Sequence, residues 1–203
     1  MGRPRLHDER TERELLKAAE SLLSEGGGPA LSVRRVAEAA GTTPRAIYTV
    51  FGGKEGLLRA LFREAFKSLA AELDALPLTS DPVADLVTAG AVGFRRWART
   101  HPDLFRLAFE EQATPVTPTD SEVGVEAFGR LVMRARRCVA AGVLPAGSEL
   151  EASLLLHAFC EGMAGLEARA RFPPLVGRDL SQMWRDGLTA MVRGFSGRPP
   201  EGA

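Results

Sequence analysis

Only two cysteines, Cys138 and Cys160, occur in the 203 residues, and neither sits in a Cys-x-x-Cys pair or a Cys/His cluster. Nothing therefore marks a zinc site or a disulfide framework. An intracellular compartment would keep both thiols reduced, as small core residues on helices, with a redox sensor as the alternative. Histidine is equally scarce: His7, His101 and His157 lie far apart, so spacing offers no metal site and no catalytic constellation. No apolar run approaches the roughly eighteen residues of a membrane span, and the opening MGRPRLHDER has no apolar signal-peptide core. A cytoplasmic protein without a membrane partner is expected. A clustered nucleophile, a ligand set and a phosphate loop are all missing, so the chain is not expected to be an enzyme or to need a cofactor. Net charge is also missing, with 26 Lys+Arg against 26 Asp+Glu.

What is present is ordinary for a globular protein, 45% apolar and 26% charged, and long enough for one domain or two small ones. The charge is unevenly placed. Residues 1–67 hold 12 Lys+Arg against 9 Asp+Glu, a balance of +3, and the remainder holds 14 against 17, a balance of −3. Arg3, Arg5, Arg34, Arg35, Arg45 and Lys54 can gather on one side of the amino-terminal part, and a local patch is enough for phosphate contact.

Helical periodicity runs through the chain, and no segment alternates as a strand does. A first helix opens at Asp8 or Thr11 and runs to about Glu25, where Gly26-Gly27-Gly28-Pro29 stops it; Leu15, Leu16, Ala19, Leu22 and Leu23 form its apolar stripe. Ser32 caps a second helix, a third spans about Pro44 to Phe51, and a fourth runs from Lys54 to about Leu76. Further helices are expected from Asp81-Pro82 to Thr100, Leu104 to about Gln112, Glu122 to about Ala141, Ser148 to about Arg171, and Leu180 to Phe195. Ala113 to Ser121 reads as a loop, Gly142 as a helix stop and Phe172-Pro173-Pro174 as a break. The expected fold is all-α, divided into an amino-terminal unit over residues 8–66 and a carboxy-terminal helical bundle over residues 81–197.

The segment from Leu31 to Leu61 carries the most information. Two helices that cross steeply over a tight turn need a small residue at the crossing and a turn residue that tolerates φ > 0. Ala37 and Gly41 occupy those places, and Ile47 returns a branched apolar side chain to the crossing. Val33, Val36, Ala40 and Phe51 complete the apolar face. Thr42 or Thr43 can cap the next helix through its hydroxyl, and Pro44 suits a first helical position. This is a helix-turn-helix, and it leaves Thr43, Arg45, Tyr48, Thr49 and Lys54 as an exposed polar cluster. A plain core-packing hairpin would leave that cluster without a role.

On these residues (Ser32-Val33, Val36-Ala37, Ala40-Gly41, Ala46-Ile47-Tyr48, Phe51, Lys54-Glu55 and Leu58) the chain resembles the TetR family of bacterial transcription regulators over roughly residues 10 to 66. The resemblance implies double-stranded DNA as partner, a homodimer on a palindromic operator, and release by a small-molecule effector. Thr43, Pro44, Arg45 and Thr49 are expected to face base edges, with Arg45 bidentate to guanine. Ser32, Arg34, Tyr48 and Lys54 are expected to hold phosphates, the roles of Tyr48 and Lys54 coming from the family, with Arg3 and Arg5 adding backbone or minor-groove contacts. An activator, a ligand-independent regulator and a helical protein-interaction module are the other readings.

Nine of the thirteen aromatic residues follow residue 90. Phe94, Trp97, Phe105, Phe109 and Phe128 are either core or, with His157 and Glu161 as polar groups, the lining of an effector cavity. The last two helices are rich in small residues, which admit close helix approach. Phe159, Gly162, Met163, Leu166, Trp184, Leu188 and Met191 are expected at a four-helix dimer interface, the alternative being packing inside one protomer. FRRWARTHPDLFRLAF from Phe94 and LLHAFCEGMAGLEARARFP from Leu155 resemble the carboxy-terminal domain of a TetR subgroup named for a Trp-His-Gly pattern, here with His157, Glu161 and Gly162.

Overall fold

The structure, a computed structural model, describes residues 5–110, 117–169 and 179–196. His7's side chain, the loop residues Ala113 to Val116 and the break at Phe172-Pro173-Pro174 lie outside the described residues. Among the described residues every regular element is helical and there is no strand. The helices are α1 (Arg5–Ala30), α2 (Val33–Ala39), α3 (Pro44–Phe51), α4 (Lys54–Asp74), α5 (Pro82–Thr88), α6 (Arg95–Thr100), α7 (Pro102–Phe105), α8 (Pro118–Ala140), α9 (Glu149–Ala168) and α10 (Leu180–Ser196). Two compact units result, one drawn from Met1–Phe66 with His101–Val123 and the other from Lys67–Thr100 with Gly124–Ala203.

In the first unit, Leu15, Ala19, Leu22 and Leu23 of α1 are buried as the stripe requires, while Leu16, also expected in it, is half-buried. The helical assignment continues to Ala30, but the backbone leaves helical values at Gly26 (φ −156°) and Gly27 (φ 65°), so the regular helix stops beside Glu25 as the glycines dictate. Ser32 caps α2, its hydroxyl accepting from the Arg35 amide at 3.2 Å. Thr43 holds the cap position of α3 in extended conformation, but its hydroxyl makes no capping bond; Pro44 alone, with φ preset and no N–H to satisfy, starts that helix. α7 opens at Pro102, ahead of the expected Leu104, and continues as a π-helical stretch, Arg106–Glu110.

α8 also begins earlier than expected, at Pro118. The cause is Asp120, fully buried, which accepts from the amide and hydroxyl of Thr117 at 3.0 and 2.6 Å and from Arg63 at 2.7 Å. A carboxylate in the first turn both occupies open amides and suits the positive end of the helix.

In the second unit, the run from Pro82 to Thr100 is helical throughout, yet its middle, Ala89–Phe94, is π-helical. Two glycines in this stretch meet close neighbours. A Cβ at Gly90 would lie 2.7 Å from Cys160 Sγ and 2.8 Å from Leu188 Cδ1, and one at Gly93 would lie 2.8 Å from Leu76 Cδ1. The backbone is thus in direct contact with the side chains of its neighbours, and Trp97, Phe94 and Leu86 fill the core around it. Ser148 takes the cap position of α9 without bonding its amides; its hydroxyl donates instead to the Pro145 carbonyl at 2.7 Å. No described helix is long and apolar enough to cross a membrane.

Candidate DNA-reading head and effector bundle

The crossing of α2 and α3 is built as the spacing requires. Val36, Ala37 and Ile47 are 0, 1 and 0% exposed. Gly41 has φ 64°, and Gly52, at φ 76°, ends α3 with its amide on the Tyr48 carbonyl at 3.0 Å. With Ile47 fixed inward, the opposite side of α3 must face solvent. Thr43, Pro44, Arg45, Tyr48, Thr49 and, at the start of α4, Lys54 are all exposed, Tyr48 at 59%. Arg34 is exposed on α2, and Ser32 is half-buried.

Two hydroxyls are partly committed. Ser32 uses an oxygen lone pair on the Arg35 amide and keeps its proton to donate, which suits a phosphate. Thr49 donates its proton to the Arg45 carbonyl at 3.0 Å, so it offers DNA a lone pair and a methyl group. Arg3 and the Arg5 side chain lie outside the described residues.

The aromatic residues proposed to line one cavity divide between the two units. Phe109 stacks edge-on with Phe66 at 5.4 Å and lies 5.5 Å from the buried Phe105, all in the first unit. Phe94, Trp97, Phe128, His157 and Glu161 belong to the second. There His157 is flanked by Phe94 at 5.7 Å and Phe128 at 5.8 Å, both edge-on, with Glu161 at 3.9 Å from its Nε2. Burial pushes the imidazole below its ordinary pKa, which keeps it neutral near pH 7. Trp97 is buried, with Nε1 donating to Ser68 at 2.9 Å, so its polar atom is already satisfied.

The small-residue helices also separate into two cases. A Cβ at Gly187 would fall 2.5 Å from Phe159 Cζ, so that glycine serves packing within the protomer. Gly162 has nothing within 4 Å and is exposed. It continues an exposed stripe on α9 at four-residue spacing, Leu150, Leu154, Ala158, Gly162 and Leu166, with Leu155 alongside. Met163 and Met191 are half-buried. Trp184 and Leu188, expected at the interface, are 0 and 1% exposed: they form the core beneath α9, where Trp184 stacks edge-on with Phe159 and leaves no surface for a partner.

Both thiols are core residues. Burial raises Cys138 to about 11, against a smaller opposing effect of Arg137, and raises Cys160 to about 12. Neither is a thiolate near neutral pH, which removes the basis for redox sensing.

Spacing missed the buried Arg95 and Arg134 and the half-buried Arg130 and Arg137. Arg95 chelates Glu167 through Nε and Nη2 at 2.9 and 2.8 Å and donates to Ser181 at 2.7 Å. Burial alone would raise the Glu167 pKa, but the hydrogen bonds and charge of Arg95, then Trp184 and Arg99, hold it below the carboxylate range. Arg130, Arg134 and Arg137 form a row on α8, reaching Asp74, the Leu73 carbonyl and Asp85 respectively. Their i, i+4, i+7 spacing on one apolar-flanked helix face was the available signal.

An exposed polar recognition helix on a helix-turn-helix, joined in one chain to a second helical unit, defines the class of DNA-binding transcription regulators. The comparisons agree. The description "Bacterial regulatory proteins, tetR family" matches residues 15–61, and "Tetracyclin repressor-like, C-terminal domain" matches residues 87–191. The chain belongs to the TetR family and is a DNA-binding regulator rather than an enzyme.

Among solved structures, a protein of unknown function from a Rhodococcus species superposes with a TM-score of 0.79 at 26% identity, covering 92% of this chain and 95% of that one. The TetR regulator SCO7222 from Streptomyces coelicolor gives 0.70 at 25%, covering 92% and 99%. The TetR-family regulator PfmR from Thermus thermophilus gives 0.64 at 22%, covering 88% and 97%. Comparison with curated proteins yields no match.

Proposed function

We propose that the protein is a homodimeric repressor that a small-molecule effector releases from a roughly palindromic operator. The observation that carries this reading is the division of α3 between a buried Ile47 and an exposed row of Thr43, Pro44, Arg45, Tyr48 and Thr49. In that reading Thr43, Pro44, Arg45 and Thr49 meet base edges, with Arg45 bidentate to guanine, while Ser32, Arg34, Tyr48 and Lys54 grip phosphates and fix register. A dimer sets two such heads about one helical turn apart along the duplex.

The dimer contact assigned here is the exposed stripe of α9, completed by Met163, Phe159 and Met191. Five exposed positions in one row, four of them carrying apolar side chains, form the kind of contiguous patch that marks an interaction surface. The domain division we adopt is 8–66 for DNA and 81–197 for effector and partner, with α4 as the element that passes from one to the other. An effector acts by preferring one separation of the two heads. His157, set between Phe94 and Phe128 and beside Glu161, is the centre of the effector site in this reading; Trp97 supports it as core. The Trp-His-Gly subgroup kinship is likewise a proposal.

A mobility-shift titration on the DNA upstream of the protein's own gene, against unrelated DNA of equal length, tests the function. A sequence-specific shift with dimer stoichiometry is expected. Salt-dependent binding without specificity would move the operator elsewhere, and no binding at all would overturn the DNA-reading function.

A further inference from the structure

The second unit carries an open groove of about 400 Å³ whose chemistry differs from that of the His157 cluster. That volume lies within the usual range for small-molecule sites. One wall is α6, which presents Arg95, Arg96 and Arg99; the other is the first turns of α10, which present Ser181 and, one turn on, Arg185. Ala91 and Val92, from the π-helical stretch, add an apolar lining. Four guanidinium groups thus converge on one concavity.

The local carboxylates do not balance them. Glu167 spends both oxygens on Arg95 and also accepts from Trp184 at 3.2 Å. Arg99 stands 3.9 Å from that same carboxylate, beyond hydrogen-bond range, with its side chain 65% exposed. Arg96 pairs with Glu72. Arg185 is exposed and makes no ion pair or hydrogen bond to any described residue. Two cations therefore keep unmet donors in the same groove. Arg95 also orients Ser181, whose oxygen accepts from it at 2.7 Å and whose own proton is left to donate.

We propose that this groove binds a small organic anion, its carboxylate or phosphate group held by Arg99, Arg185 and Ser181 and its apolar body resting on Ala91 and Val92. Guanidinium forks match both oxyanions bidentately, so the donor set fixes an oxyanion but not which of the two. The volume and the apolar lining favour an organic body over a bare inorganic ion. Binding as such does not depend on the repressor function; the consequence for DNA release does, because it rests on the effector reading above.

The test is calorimetric titration of the full chain without DNA, at fixed ionic strength, with benzoate, phenyl phosphate and the neutral isostere benzamide. At least one of the two anions is expected to bind with a Kd below about 1 mM, and benzamide about tenfold or more weaker. The order of benzoate and phenyl phosphate identifies the oxyanion. R185A and the double variant R99Q/R185Q are expected to lose about tenfold or more, while R193Q, which removes an exposed charge further along α10, leaves affinity unchanged.

All three variants alter exposed side chains, and unchanged thermal unfolding verifies their fold. Equal binding of benzamide and benzoate, unchanged affinity in R99Q/R185Q, or no binding by either anion would overturn the proposal. An operator shift without anion binding defeats this inference and leaves the repressor reading intact, whereas anion binding without any DNA binding does the reverse.

Discussion

Arg134 donates from Nη2 to the backbone carbonyl of Leu73 at 2.7 Å, although Arg134 is only 2% exposed. Leu73 is in the last turn of α4, and its carbonyl also accepts from the Leu76 amide at 3.2 Å, so the buried cation adds a second donor to that oxygen and suits the negative end of the helix. Its Nε has no partner, and Nη1 reaches only the Arg130 carbonyl at 3.2 Å. Such a residue is costly to keep and more costly to truncate.

Arg134→Ala should therefore destabilise the fold by about 2–4 kcal/mol, through the cavity and the lost charge-assisted hydrogen bond together. Arg134→Met, which keeps most of the volume, should cost clearly less. Urea unfolding of the two variants decides it, and equal losses would show that the charge, not the packing, dominates.

The helix-turn-helix glycine offers a cleaner backbone test. Gly41 has φ 64° and open space where a Cβ would go, so Gly41→Ala meets no clash and probes backbone conformation alone. The expected loss is about 1 kcal/mol, with parallel loss of DNA affinity only as far as folding is lost. A neutral result in thermal unfolding would mean that the turn relaxes out of the left-handed region.

His157 sets a pH dependence. Its folded pKa is depressed by burial from an ordinary value of 6.5, so the unfolded chain takes up the proton first. Stability is full above about pH 6.5 and falls as pH drops from there through the folded value. In His157→Phe the slope of unfolding free energy between about pH 6.5 and pH 5 should flatten; an unchanged slope would place the titration elsewhere.

The DNA head separates two kinds of loss. Arg45→Ala should cost about 1–3 kcal/mol of preference at one position per half-site, while Lys54→Ala should weaken all sequences alike and reduce the salt slope by about 1. Mobility shifts on an operator-variant panel at several salt concentrations distinguish the two. Equal losses across the panel from both changes would defeat the assigned roles.

The α9 stripe predicts an assembly phenotype. Leu154 is 58% exposed in the protomer, so Leu154→Glu should leave the unfolding of the protomer within about 0.5 kcal/mol. The same change should place a charge in the dimer contact, shift sedimentation to monomer and abolish operator affinity. A stable dimer in this variant would move the interface off α9.

The reading head was legible in the sequence because its rules are local. Ala37, Gly41, Pro44 and Ile47 act over a few residues, where steric limits on φ, helix starts and apolar spacing leave a single arrangement. The glycine stop after Glu25 and the Ser32 cap were legible for the same reason. Other features depended on partners distant in the chain. Asp120, which bonds the local Thr117, is also met by Arg63 from far along the chain, and Gly90 lies directly against Cys160 and Leu188.

Tertiary packing likewise sorted the aromatic residues, sending Phe105 and Phe109 to the first unit and Trp184 to the interior, while Gly162 stayed open and Gly187 closed on Phe159. By itself the sequence determined the all-helical class, the helix-turn-helix and the family, since period, caps and turn residues act within one or two helical turns. Only the tertiary structure decided which apolar residues are core and which form a face, and which arginines are paired. Those outcomes depend on what stands opposite each side chain, and helical spacing is the same in either case.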